Sequence, residues 1–88
     1  SEHPMSINSA EQVEAALKNQ PALATEKDEE GWTILQRESL AGNLTPVEVL
    51  LRHGADPYEK NSQGLSAIDL ASRMGWHKVT EALSNVPE

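Results

Sequence analysis

The chain has 88 residues, which suffices for one small domain with a modest core and marginal stability unless its local structure is very regular. It holds no cysteine, which excludes disulfides and thiolate metal sites and makes the cytosol its natural compartment; no apolar run reaches the length of a bilayer span and no secretory leader pattern is present. Fourteen acidic residues against seven basic ones give a net charge of −7, which argues against nucleic acid and membrane as partners, since both call for clustered Lys and Arg, and favours a partner protein with a basic surface.

In chain order, residues 1–8 read as an N-terminal extension in which Met5 is a candidate start, with Ser1 to Pro4 as added residues. Ser9 with Gln12 has the form of a capping box, in which the first-turn side chains satisfy the unpaired backbone N–H groups of a helix. Val13, Ala16 and Leu17 follow at helical spacing. Thr33 with Gln36 and Ser66 with Asp69 repeat the capping box, and each helix so opened runs to a glycine, Gly42 or Gly75, suited to a left-handed cap. Thr45 is the expected cap of a further helix, with Pro46 at its first position, where a missing N–H costs nothing. That helix carries Val47, Val49, Leu50 and Leu51 and ends at Arg52-His53-Gly54, with basic side chains at the negative end of its dipole. Ala55 to Tyr58 and the polar run Lys60 to Gly64 predict an extended excursion closed by a turn.

The chain repeats itself. Asp28 to Leu35 aligns without a gap on Asn61 to Ile68, and Gly31 to Gly64, Gly42 to Gly75 and Leu50 to Leu83 are each 33 residues apart. The segment Asp28-x-x-Gly31-x-Thr33-x-Leu35, then Gly42-Asn43, then Leu50-Leu51-x-x-Gly54-Ala55-Asp56-Pro57, resembles the ankyrin repeat, and Gly64-x-Ser66-Ala67-Ile68-Asp69-Leu70-Ala71 with Gly75-Trp76-His77 resembles the next one. The resemblance implies an all-α solenoid of stacked helix-turn-helix units joined by extended, hairpin-like loops. Residues 9–27 would be an N-terminal half repeat acting as a cap, 28–60 a repeat, and 61–88 a C-terminal repeat. Ser84 to Glu88, short and polar with a proline, read as a true end.

Stacking would place Leu35, Val47, Leu50 and Leu51 in one layer and Ile68, Leu70, Ala71, Val79 and Leu83 in the next, with Val13, Ala16 and Leu17 starting the stack. Two positions depart from the family. Glu38-Ser39 stand where small alanines are usual, and a carboxylate in a helix–helix seam is costly unless paired; with no preceding first helix, Glu38 is expected to face solvent or to lie under the strand of Ser1 to Asn8. Gln36 stands in place of the usual histidine and can still make the capping hydrogen bonds.

Chemistry for catalysis or metal binding is not evident. His3, His53 and His77 are not spaced as ligands, no nucleophile has a base beside it, and no glycine-rich phosphate loop occurs. Neither an enzyme nor a cofactor is expected. Asn43-Leu44-Thr45 matches a glycosylation pattern, but Pro46 follows and the match reads as chance. Ankyrin-like proteins bind partners through loop tips and the exposed side of the first helices. Carried onto this chain, that implies Glu29, Glu30, Trp32, Leu40 and Ala41, then Ser62, Gln63, Leu65, Arg73 and Met74. Trp32, after the loop glycine, is expected to project outward as an anchor, since tryptophan is enriched at binding hot spots. Glu26, Asp28, Glu29 and Glu30 would form an acidic rim around it. Tyr58, Trp76 and His77 make a second, weaker set, with Trp76 read chiefly as a cap on the end of the stack. The function expected is protein binding by a monomer or weak dimer. A narrower reading is a small acidic inhibitor, such as a bacterial immunity protein; the alternative is a structural scaffold or adaptor.

Overall fold

The computed structural model describes residues 9–86; the expectations placed on Ser1 to Asn8, including a strand over Glu38, lie outside the described residues. Five α-helices follow one another there, α1 (Ser9–Asn19), α2 (Ile34–Ala41), α3 (Leu44–Arg52), α4 (Ala67–Met74) and α5 (His77–Ser84), with a 3₁₀ turn at Pro21–Ala24. The helix starts are built locally. The backbone N–H of Gln36 donates to Thr33 Oγ1 at 3.2 Å while Gln36 Oε1 accepts from the Thr33 N–H at 2.8 Å, and Ser66 with Asp69 forms the same reciprocal pair. The stops are local too. Gly42 and Gly75 both sit at φ 80°, where a side chain would be strained, and the N–H of the following residue, Asn43 or Trp76, reaches back to the carbonyl of Glu38 or Ala71 at 3.0 Å in each case.

The start of α3 differs from the expectation. The helix opens at Leu44, and neither Thr45 nor Asn43 caps it with a side-chain hydrogen bond. The Asn43 amide instead donates to Glu38 Oε1 at 2.8 Å. Pro46 becomes the third helical residue, still within the first turn, where a backbone N–H has no intrahelical acceptor to lose.

Helices α1, α3 and α5 pack in one row, and α2 packs against α4 in a second, each inner helix lying on its own outer partner. The core runs between the rows as Leu17, Leu35, Val47, Val49, Leu50, Ala67, Ala71, Val79 and Leu83, all buried. Three expected core members, Val13, Leu51 and Ile68, are only half-buried, and Ala16 is exposed. Val13 and Ala16 lie on the first helix of the outer row, which has a neighbour in that row on one side only, and Leu51 lines an open groove with Tyr58 and Val86. Gln36 is fully buried and ties α2 to the loop that follows α3: beyond its capping bond, its side-chain amide donates to the Glu59 carbonyl at 2.9 Å. Glu38 is half-buried and held by Asn43, so no bare carboxylate enters the seam.

Between α1 and α2, and again between α3 and α4, the chain makes an extended loop closed by an antiparallel bridge, Lys27 to Thr33 in the first and Lys60 to Ser66 in the second. Asp28 Oδ1 accepts the N–H groups of Glu30 and Trp32 at 2.9 and 3.0 Å. Asn61 Oδ1 does the same for Gln63 and Leu65 at 2.8 and 3.1 Å. No helix among the described residues is long and apolar enough to cross a membrane.

Candidate functional site

The two loop tips are stitched side by side. Ser62 Oγ donates to the Glu30 carbonyl at 2.6 Å, and Lys27 Nζ donates to the Lys60 carbonyl at 3.2 Å while pairing with Glu59 at 3.3 Å. The approach is close enough that a Cβ on Gly31, itself at φ 84°, would lie 3.0 Å from Ser62 Cβ. Glu29, Glu30, Ser62 and Gln63 are exposed along this double tip. From it the inner helices α2 and α4 run side by side and bring Leu40 and Ala41 alongside Arg73 and Met74 at their far ends, about 12 Å away at 1.5 Å per residue. Ala41, Arg73 and Met74 are exposed, and Leu40 and Leu65 are half-buried.

Trp32 does not project outward. It is 9 % exposed: the hydrogen bonds to Asp28 put it on the returning arm of the loop, and it forms one wall of a hollow shared with Leu23, Ile34 and Arg37. The Arg37 guanidinium lies 4.6 Å above the ring centroid. That guanidinium is held in turn by Asp28 Oδ2 at 2.8 Å and by Glu30 Oε1. The N–H given by Trp32, more than any other contact, holds the Asp28 carboxyl below the usual aspartate range, and Arg37 adds to it. The acidic tip is thus partly neutralised from within, leaving Glu26 and Glu29 exposed and without an ion pair among the described residues.

Two members of the second set, Trp76 and Tyr58, make contacts within the fold, although Trp76 stays 39 % exposed. The Trp76 indole N–H donates to the Leu40 carbonyl at 2.8 Å, and its ring covers Gly42 so closely that a Cβ there would be 2.6 Å from Cε2. Tyr58 is half-buried and its hydroxyl donates to the Val86 carbonyl at 3.0 Å. Both lie away from the double tip in their hydrogen bonding. Sequence reasoning passed over Arg37. Its signal was available: the next unit has Leu70 at the same register, and only the first unit precedes it with both Asp28 and Glu30. Among the described residues no group of three or more His, Asp or Glu side chains could hold a metal ion.

No protein-family model matches the chain. Over 82 residues, 93 % of its length, it is 37 % identical to a protein of Neisseria meningitidis serogroup B that is named as an ankyrin repeat protein, and it spans 32 % of that relative. This chain belongs to the ankyrin-repeat family. Shorter matches connect it to the human inhibitor of Bruton tyrosine kinase, 39 % identical over 51 residues, 58 % of this chain and 4 % of that protein. A third match is the mouse ARF GTPase-activating protein GIT2, 36 % identical over 58 residues, 66 % of this chain and 8 % of that one. The ankyrin-repeat chain therefore covers about a third of one relative and less than a tenth of the others. Its repeats form a module of protein–protein interaction.

Proposed function

We propose that this ankyrin-repeat module binds one partner protein with a basic surface, along the strip that runs from the double loop tip to the far ends of α2 and α4. One observation carries the reading: two stitched tips present Glu29, Glu30, Ser62 and Gln63 outward together, next to the exposed Glu26. The loop architecture does not demand those acidic residues, since Asn61 to Gly64 builds the same loop with an uncharged tip. Asp28 and Trp32 belong to the same end of the strip, beneath Arg37, while Leu40, Leu65, Arg73 and Met74 supply apolar and mixed contact along it. This division suits an interface with a desolvated centre and a polar rim. Tyr58 and Trp76 are assigned to packing.

Inhibition of the partner is a narrower reading whose support is small size and acidity. The match to a relative named as an inhibitor covers 4 % of that protein and adds nothing to it. A scaffold or adaptor would use the same strip.

The test compares the parent chain, a Glu29→Lys/Gln63→Lys variant at the tip, and Glu48→Lys on the exposed side of α3. Each is used to capture protein from the source lysate at low and at high salt. The expected result is one basic protein retained at low salt by the parent and by Glu48→Lys, and lost both from the tip variant and at high salt. Equal retention by the tip variant would refute the placement.

A further inference from the structure

The cluster around Trp32 is chemically a receptor for a guanidinium group, and the free chain fills it with its own. An aromatic face at 4.6 Å and carboxylate oxygens from Asp28 and Glu30 around the same group meet the two demands of arginine. Its plane stacks on a ring, and its fork of N–H donors pairs with carboxylates. The next unit shows that the fold does not require this. At the same register it has Asn61, Gln63, Leu65 and Leu70 for Asp28, Glu30, Trp32 and Arg37, and it still forms the loop and the capping box. Arg37 lies on the surface, with 41 % of its side chain exposed, so it can swing into water without unpacking α2. The hollow beside it is lined by Leu23, Glu26 and Ile34 and also by Lys27, whose charge is engaged by Glu59 at 3.3 Å. There is room there for a second side chain, next to a further carboxylate.

We propose that Trp32, Asp28 and Glu30 form a guanidinium-binding site that Arg37 occupies in the free chain and that an arginine of the partner takes over on binding. This rests on the reading that the loop tips meet a basic partner, and it sharpens that reading to a surface presenting at least one arginine. Arg37 is a tethered competitor, present at high effective concentration, so it lowers the affinity for any incoming arginine; a lysine, without the planar fork, is left with the charge attraction of the tip. The consequence is specific to arginine: removing Arg37 strengthens arginine binding beyond what the charge change alone gives to a lysine ligand.

The probe is a short peptide, acetyl-Gly-Arg-Gly-Arg-Gly-amide, with its lysine counterpart. Each is titrated into isotope-labelled protein while the Trp32 indole N–H signal is followed, assigned by comparison with Trp76→Phe. Arg37→Gln, which keeps much of the stem over the ring, is the main variant, and Arg37→Ala the second. The expected result is a roughly tenfold gain in affinity for the arginine peptide in Arg37→Gln, the scale of one exposed cation–π and ion-pair contact. The Trp32 signal should shift, the lysine peptide should gain less, and the gain should be abolished when Asp28→Asn and Glu30→Gln are added. Equal arginine affinity in the parent and in Arg37→Gln, with a Trp32 shift in both, would overturn the occupancy by Arg37 and leave the basic-partner reading intact. No shift of Trp32 in any variant would overturn the guanidinium site itself, while salt-dependent capture at Glu29 and Gln63 would still decide the broader reading separately.

Discussion

Replacing Gly42 by alanine isolates the contact that joins the last two units. Gly42 and Gly75 share the same backbone, φ 80° at the end of an inner helix, so alanine at either incurs the left-handed strain of about 1–2 kcal/mol. They differ in what covers them. A Cβ on Gly42 would lie 2.6 and 2.7 Å from Trp76 Cε2 and Cδ2, whereas a Cβ on Gly75 meets nothing within 4 Å. In Gly42→Ala the indole must therefore move, losing its hydrogen bond to the Leu40 carbonyl, worth about 1 kcal/mol, and part of its packing. The expected cost is about 3 kcal/mol for Gly42→Ala and about 1–2 kcal/mol for Gly75→Ala. Urea unfolding followed by far-UV circular dichroism measures both. Such a loss is a large share of the stability of a small domain, so an osmolyte held constant across the set keeps every variant folded at zero urea. The decisive comparison is a double-mutant cycle with Trp76→Ala. In that background Gly42→Ala should cost no more than Gly75→Ala. An unchanged cost of Gly42→Ala without the indole would refute the reasoning, as would equal costs at the two glycines in the parent.

Ser39→Ala should stabilise the chain by about 0.5–1 kcal/mol by the same unfolding assay, because Ser39 Oγ is buried without a hydrogen-bond partner among the described residues and alanine is the better helix former. Gln36→Ala should cost about 2–4 kcal/mol, since it removes a cap, opens a cavity and orphans the Glu59 carbonyl, while Gln36→His should cost clearly less. Asp28 and Asp69 are both held below the ordinary aspartate value, each chiefly by a backbone N–H, from Trp32 and from Ser66. A depressed folded-state value means stability that is complete above the unfolded-state value and lost as pH falls through the folded one. The urea midpoint should therefore fall on acidification below about pH 4, and less steeply in Asp28→Asn/Asp69→Asn, whose side chains can still accept those N–H groups.

The local parts of this protein could be read directly from the chain. The 33-residue period, the capping boxes at Thr33 and Ser66 and the glycine stops at Gly42 and Gly75 depend on contacts within a few residues of one another, so residue type and spacing were enough to place four of the helix boundaries. The buried faces followed for the same reason, because Leu35, Val47, Leu50, Val79 and Leu83 lie at helical spacing on strongly apolar stripes. The start of α3 was misplaced at Thr45: the helix opens at Leu44 with no side-chain cap, and the Asn43 amide group is turned instead to Glu38, five residues back on the previous helix.

What only the tertiary structure decided concerns side chains whose surroundings come from another element. Trp32 read as an outward anchor from its place after a loop glycine, yet it is buried, with a guanidinium from α2 over its ring and Leu23 and Ile34 lining the same hollow. Trp76 read as a terminal residue, and its partner proved to be a glycine one unit earlier, which no spacing rule announces because any bulky side chain at either place would exclude the other. Arg37 was invisible as a site residue for the complementary reason: its meaning lies in the ring and the two carboxylates that the folded loop brings to it. Short-range geometry is written in the order of the residues, whereas which surface remains for a partner depends on how the units stack.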